Sequence, residues 1–488
     1  MNPITIPNIS IPTIGIPTIG IPSIGFPSAS DGGGLSWPAG MKEHIKAWYD
    51  PKKQGMTNYD VIEAYAEDFT NWNYIKARGT VTVSQHKFII TECILNGLSI
   101  VEDIREPYSN LTVRITGITD NQRVLITDYV NGHHQIINTI TEDGIYTIED
   151  RYHFIGFGCD FVGECNITIT QLPTSILKDF SGNNHDAYMY GFQGKLDSGV
   201  GIYKQDFKKW SFGSVINATI STKSYDRFHI VKKKDDSWFG FTVGILKGNY
   251  YNKPYKLKFN INKQIEDVPF SIISTDGNLK TTNVFTHKIN DNSIIDIPVI
   301  NEKDFNNQEQ PYIYYDFGTN KDIEIDVQLI PDYPNSLCYD GKSYAIAYDM
   351  PILTDYTVMA DRTWFEKEEH SAFVSNSLGG MEDSNNGAFS VEVKSLDSFA
   401  VLSFGILTSI STPKKGITYQ TKQSYNGNSI NVGTKESNDI LILGGRYFYK
   451  NDNAVGNTWN GCHGKIIIAD RSFTEEEINW LKQNWDKI

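Results

Sequence analysis

Basic residues are in short supply. Against 58 Asp and Glu stand 44 Lys and Arg, leaving a formal charge of −14 and a pI near 5.2. A protein that grips a phosphate backbone displaces counterions with clustered cations, so this balance argues against a general nucleic-acid binder. The one basic run, Lys232, Lys233 and Lys234, is followed at once by Asp235 and Asp236 and reads as a solvated turn. Cysteine is scarce as well: Cys93, Cys159, Cys165, Cys338 and Cys462 are odd in number and none falls in a CxxC spacing. That pattern argues against a zinc site or a disulfide framework. A Cys159–Cys165 bridge is the alternative to the plainer expectation that both are small buried hydrophobes. No run of about eighteen uninterrupted apolar residues occurs, so no helical membrane span is expected.

Charge is absent altogether from the first thirty residues, MNPITIPNISIPTIGIPTIGIPSIGFPSAS. A secretory signal needs a basic start and an unbroken apolar centre, whereas here a proline recurs every fifth residue from Pro7 to Pro27. The expectation is a chain not exported by its own cell. Proline removes a ladder donor and biases its predecessor to extended backbone, so a free-standing sheet or helix is disfavoured. An extended or polyproline-II path is natural, at about 3.1 Å per residue. An odd period also turns successive repeats to opposite faces. The pairs Ile6–Pro7, Ile11–Pro12, Ile16–Pro17 and Ile21–Pro22 are thus satisfied only when other chains surround them. The segment reads as an assembly anchor that threads into a larger body or winds with its own copies, as a trimer. The plainer alternative, a flexible linker, is disfavoured by the isoleucine content.

What is present is apolar residue in strand-like order: 40% of the chain is hydrophobic and 12% aromatic, enough for several cores. GAFSVEVKSL alternates Phe389, Val391 and Val393 with Ser390, Glu392 and Lys394, as a strand with one polar face does. DYTVMADRTWF, DIEIDVQL and ITITQL behave similarly, and turns carry Gly, Asn and Asp. FAVLSFGI and DILILGG are apolar on both faces and should be inner strands. Helix is expected only as short pieces in EHIKAWYDPKKQGMTNYDVIEAY and in the closing TEEEINWLKQNWDKI. There Thr474 and Glu477 form a capping box, and Ile478, Leu481 and Trp485 share a face. An internal echo organises the middle: PYSNLTVRITGI matches PYKLKFNI, GIYTIED matches SIIDIPV, and ITITQL before Pro173 matches DIEIDVQL before Pro331. Two related β-sandwich modules are expected.

The segments outside these modules resemble the concanavalin A-like jelly roll of the laminin-G-like lectin superfamily. The resemblance rests on the turn Asp179, Ser181, Gly182, Asn183 and His185, and on the closing Gly464, Lys465, Ile466, Asp470, Arg471, Thr474, Glu476 and Ile478. AWYDPKKQGMTNYDV looks like the start of the same domain. It implies an all-β chain: an anchor tail over 1–35, a jelly roll begun over 36–75, continued over 175–212 and completed over 336–488, and modules inserted over 76–174 and 213–335. A repetitive tail on a lectin-like body is similar to head or tail fibre proteins of bacteriophages that infect Bacteroidetes, the crAss-like group among them. Such a protein is made in the host cytoplasm, released by lysis and displayed on the virion surface.

Candidate chemistry follows from residue types. Asp179, Asn183, Asn184 and Asp186 offer hard oxygens in one turn, and the superfamily resemblance implies Ca²⁺ as the ion they would hold. An Asx turn bonding its own backbone is the preferred reading. Tyr447, Tyr449 and Trp459 are the candidate sugar platform, with Asn451, Asp452 and Asn453 as hydrogen-bonding partners; the alternative is that the tyrosines pack on the sandwich. Glycosidases need two carboxylates roughly 5 to 10 Å apart, and Glu366, Glu368 and Glu369 read instead as a solvated strand end. His133 and His134 sit in an expected turn without a ligand partner, and no HExxH, GxSxG or P-loop occurs. The expectation is a non-enzymatic virion appendage anchored through residues 1–30, displaying lectin-like sandwiches to a host surface glycan. The alternatives are a glycan-binding adhesin and, less favoured, a polysaccharide-degrading enzyme.

Overall fold

Period-two alternation is clearest in the strands of the two middle segments. In Gly163–Gln171 the residues Ile167 and Ile169 are buried, and in Ile323–Ile330 so are Ile323, Ile325, Val327 and Leu329, while their polar neighbours face outward. A computed structural model describes residues 35–488 apart from 59, 195, 73–78, 95–97, 104–109, 131–132, 150–154, 210–217, 233–240, 246–253, 262–265, 276–280, 300–311, 318–321, 366–369, 379–385, 395–397 and 450–453. The anchor residues Ile6 to Pro22 lie outside the described residues. The chain is all-β with a short C-terminal helix, and among the described residues its sheets are antiparallel but for one short pairing.

The two middle segments repeat one topology. In the first, one sheet runs Gly79–Ser84, Lys87–Cys93, Gly163–Gln171, Leu111–Thr116, Gly144–Ile148, and the facing sheet runs Leu98–Asp103, Ile155–Cys159, Val124–Val130, His133–Ile140. In the second, Thr219–Lys223, Arg227–Lys232, Ile323–Ile330, Tyr255–Ile261 and Ser293–Ile297 stand in the same order. They face Phe241–Ile245, Tyr312–Phe317, Val268–Thr275 and Thr281–Ile289. The three sequence echoes fall on equivalent strands. Separate aromatic cores fill the sandwiches, around Phe88, Phe157 and Trp72 in one and Phe259, Phe270 and Phe317 in the other.

Several local expectations are corrected. Lys232 is not in a solvated turn: it ends the strand Arg227–Lys232 and is buried, because period two puts it on the core face with Phe228 and Ile230. Cys159 pairs with neither Cys165 nor apolar neighbours alone. It is disulfide-bonded to Cys93 on the facing sheet, Cα atoms 6.5 Å apart, a contact only the sandwich creates. The Cys165 thiol donates to the Ile90 carbonyl at 3.3 Å. His133 and His134 begin a strand rather than occupy a turn.

The remaining segments form the larger jelly-roll sandwich. Its front sheet runs Gly199–Val200, Leu337–Asp340, Asn460–Ala469, Thr357–Trp364, Lys415–Thr421, with Ile45–Tyr49 also on Asn460–Ala469. Its back sheet runs from Ile176–Leu177 through Tyr344–Ala347, Leu441–Leu443 and Asn386–Lys394 to Ile406–Ile410. IKAWY is therefore strand, preceded by a 3-10 turn at Lys42–His44 and followed by one α-helical turn, Pro51–Gln54, begun by Asp50 and ended by Gly55 in the left-handed region, φ 67°. The outer face of the back sheet carries Tyr188, Tyr190, Tyr344 and Tyr348, and Leu172 and Ile145 of the first module pack onto that face. Arg114 of the same module stands 4.7 Å from the Tyr348 ring.

GAFSVEVKSL departs from simple alternation. Ser390 and Glu392 are fully buried and Lys394 nearly so. A register shift between Ser390 and Val393, with Glu392 at φ 57°, swings the Glu392 carboxylate into the sandwich interior. It accepts from Arg362 Nε at 2.8 Å and Nη2 at 3.0 Å, Trp364 Nε1 at 2.7 Å, Thr418 Oγ1 at 2.9 Å and the Tyr425 hydroxyl at 2.7 Å. All these donors belong to the front sheet, so one carboxylate clasps both sheets.

The C-terminal helix, Glu475–Asn484, is capped as expected: Thr474 Oγ1 accepts from Glu477 N at 3.2 Å, and Glu477 accepts from Thr474 N at 2.8 Å. Ile478, Leu481 and Trp485 bury against Trp48, Met359 and Ile467 on the outer face of the front sheet. Gly464 is required there because a Cβ would lie 2.3 Å from an Asp361 carboxylate oxygen. That carboxylate accepts from Lys465 N, and Lys465 Nζ donates to the Trp485 and Ile488 carbonyls.

Two predictions follow from this interior. Glu392→Ala strands the Arg362 guanidinium and is expected to cost about 3–5 kcal/mol in urea denaturation, whereas Arg362→Met with Glu392→Leu should cost less than the two single changes together. His463 is buried, accepts from the Tyr339 hydroxyl at 2.9 Å and bonds the Gly464 carbonyl at 2.8 Å, and burial lowers its pKa to about 4. A folded pKa below the unfolded value means that the unfolded chain binds the extra proton. Stability should therefore fall as pH drops below about 6.5 and go on falling to about 4. Denaturation midpoints of wild type and His463→Gln should converge across that window as the pH is lowered.

Candidate functional site

At one end of the front sheet, where Leu337–Asp340 and Thr357–Trp364 finish and Asn460–Ala469 begins, the chain leaves a groove of about 660 Å³. Its apolar lining comes from Leu196, Ile202, Trp364 and a ring pair, Tyr333 and Phe365, which lie 4.6 Å apart between centroids, inclined by 30°. Around them stand Lys204, Lys342, Lys414, Asp197, Gln193 and Asn460.

The backbone holds these groups in place. Phe365 N donates to the Asn460 carbonyl at 3.2 Å and Trp364 N to the Lys414 carbonyl at 3.0 Å, so three chain segments meet beneath the rings. Tyr333 lies on the link returning from the second module, Lys204 on the link leading into it. The two links are joined by Asp332 N to Ile202 O at 3.0 Å and by Lys204 Nζ to Asp332 Oδ2 at 2.9 Å. Gly201, at φ 58°, permits this approach, since a Cβ there would be 2.8 Å from both Pro331 Cβ and the Tyr333 carbonyl. Partial burial, then the nearby Cys462 and Asp332, raise the Tyr333 hydroxyl pKa, which keeps it a neutral donor. Asp340 also lines the groove, but its carboxylate accepts from Lys342 N and Ser343 N at 3.0 and 2.8 Å and is committed to its own turn. The arrangement offers a ring ledge flanked by ammonium donors and by carboxylate and amide acceptors.

The residues singled out from sequence are placed elsewhere. Trp459 is not a surface platform: it is fully buried, its ring 5.4 Å from Tyr339, 5.6 Å from Trp364 and 5.5 Å from Phe373, because the residue leading into Asn460–Ala469 points into the core. Tyr447 is buried beside the Arg446 guanidinium, 4.4 Å from its ring, and Tyr449 is half-buried, so both pack on the sandwich. Asn451, Asp452 and Asn453 lie outside the described residues, as do Glu366, Glu368 and Glu369.

The turn of Asp179, Asn183 and Asp186 is a backbone clamp. Asp179 accepts from Trp48 N at 2.8 Å, Ser181 N at 2.9 Å, Ser181 Oγ at 2.6 Å and His185 N at 3.1 Å. Asp186 accepts from Asp179 N at 2.7 Å and Asn183 Nδ2 donates to the Ile45 carbonyl at 2.9 Å. The Asp179 carboxylate is spent on donors of the turn itself and on Trp48 N, and the Asn183 amide nitrogen adds a second tie to Ile45–Tyr49; among the described residues no cluster of His, Cys, Asp and Glu suits a metal ion. No helix among them is long and apolar enough to cross a membrane.

No protein-family model matches the chain, and no curated protein matches it. Among solved structures, the tandem CBM22-1-CBM22-2 domain from Paenibacillus barcinonensis Xyn10C is similar at 10% identity and a TM-score of 0.23, over 55% of this chain and 99% of that one. A Trypanosoma rangeli sialidase in complex with 2,3-difluorosialic acid is similar at 11% identity and a TM-score of 0.23, over 88% and 90%. Likeness at that score carries no argument about this groove.

Sequence reasoning missed the groove because its parts are far apart, at Lys204, Tyr333, Lys342, Phe365 and Lys414. The one local signal is YPN at 333–335, an aromatic held in a proline turn just after a strand releases the chain.

Proposed function

We propose that the chain is a non-catalytic glycan-binding protein that displays the Tyr333–Phe365 groove from a virion appendage. The observation that carries the binding reading is the ring pair flanked by Lys204, Lys342, Lys414, Asp197 and Gln193. A pyranose presents an apolar face for a ring to cover and hydroxyls that both donate and accept, so a ledge rimmed by donors and acceptors suits it. The appendage reading is supported by the uncharged Ile/Pro repeat over residues 1–30, whose face-switching period asks for surrounding chains. In this reading copies of the tail wind together, as a trimer, and hold the body on the particle surface.

Glycan-array binding tests the first part. Tyr333→Ala and Phe365→Ala are each expected to weaken binding about tenfold, equivalent to roughly 1.4 kcal/mol, with thermal stability little changed; unaltered binding by both variants would sink the assignment. Incubation with a bound polysaccharide should release no reducing ends. For the second part, protein lacking residues 1–30 should remain folded and bind glycan yet fail to incorporate into particles. Normal incorporation would reject the tail as the anchor.

A further inference from the structure

Cys338 and Cys462 face one another. They are directly paired on the neighbouring antiparallel strands Leu337–Asp340 and Asn460–Ala469, and both are free thiols. Opposed residues of such a pair point to the same face with Cβ atoms about 4.5–5.5 Å apart, and a disulfide needs about 3.5–4.5 Å. A small strand adjustment closes that gap. Leu337 and Tyr339 belong to the interior core, so alternation puts the cysteine pair on the outer face, close to the Tyr333 side chain that lines the groove. Both cysteines are buried, at 0% and 3% exposure. Contact with the Cys338 thiol, then burial, drives the Cys462 thiol far above its usual range. Cys165, by contrast, is a free thiol that donates to a backbone carbonyl of the first module and packs against that module's core.

We propose that Cys338 and Cys462 form a thiol–disulfide site that small-molecule disulfides oxidise, joining the strand that returns from the second module to the closing strand of the front sheet. One thiolate attacks the small disulfide and expels one thiol, leaving a mixed disulfide on that cysteine. The second cysteine loses its proton and displaces the other half as a second thiol. One S–S bond forms in the protein, one is reduced in the reagent, and two electrons and two protons pass to it. Access comes from the sheet edge: Cys338 also pairs with Gly199, in a terminal strand of only Gly199–Val200, so fraying of that strand bares Cys338 first. A buried, protonated pair reacts slowly, and its rate should rise with pH.

The test uses the full-length protein held folded with oxidised glutathione or with dithiothreitol, then unfolded in iodoacetamide and mapped by peptide mass. With oxidised glutathione, Cys338 and Cys462 should lose alkylation together and appear as one S–S-joined peptide pair, faster at higher pH, while the more exposed Cys165 should carry at most a glutathione adduct and join neither. Cys338→Ser should abolish the joined pair, leaving Cys462 alkylated or as a glutathione adduct. Persistent alkylation of both cysteines, separate glutathione adducts without joining, or a joined pair only after circular dichroism shows unfolding would each overturn the proposal.

Discussion

The large sandwich is organised around a charge sealed between its sheets. Glu392 of the back sheet meets Arg362, Trp364, Thr418 and Tyr425 of the front sheet, and neither Glu392 nor Arg362 has any side-chain exposure. Removing two charges from water is costly, and their attraction offsets this only when geometry is good and the remaining lone pairs are satisfied. Here one carboxylate accepts from four side chains, which suits it to setting the register of the two sheets. A slip of the back-sheet strand would leave that carboxylate without its donors. The positive φ of Glu392 is part of the same arrangement, since an unbulged strand would aim the side chain away from the interior.

Because that register is set, the chain can leave the sandwich twice and return. The turn at Asp179 ties the first return to Ile45–Tyr49, and the paired links at Ile202 and Asp332 close the second excursion at its base. The candidate groove is a product of this second closure. Tyr333 lies on the returning link and Phe365 on a strand end of the sandwich, so neither module nor sandwich alone would assemble the ring ledge. The first module is positioned differently, by apolar contact of Leu172 and Ile145 with the tyrosine-rich outer face of the back sheet.

Legibility in sequence follows the range of the interactions concerned. The C-terminal cap was readable because Thr474 and Glu477 are three residues apart and bond each other. The repeated strands were readable because ITITQL and DIEIDVQL alternate within themselves. Glu392 was misread for the same reason, since its alternation is broken by a bulge that only the partner strand reveals. Trp459 was misread because a tryptophan in a Gly- and Asn-rich stretch looks exposed until Tyr339, Trp364 and Phe373 close around it.

By itself, then, the sequence determined the all-β character, the twin modules, the capped closing helix and the uncharged Ile/Pro repeat of residues 1–30, all consequences of neighbours along the chain. Tertiary structure alone decided which cysteine meets which, where the buried charge goes and which aromatics remain at a surface. Those outcomes depend on strands far apart in sequence, 30 residues for Arg362 and Glu392, 66 for Cys93 and Cys159 and more for Cys338 and Cys462, and no local pattern carries that register.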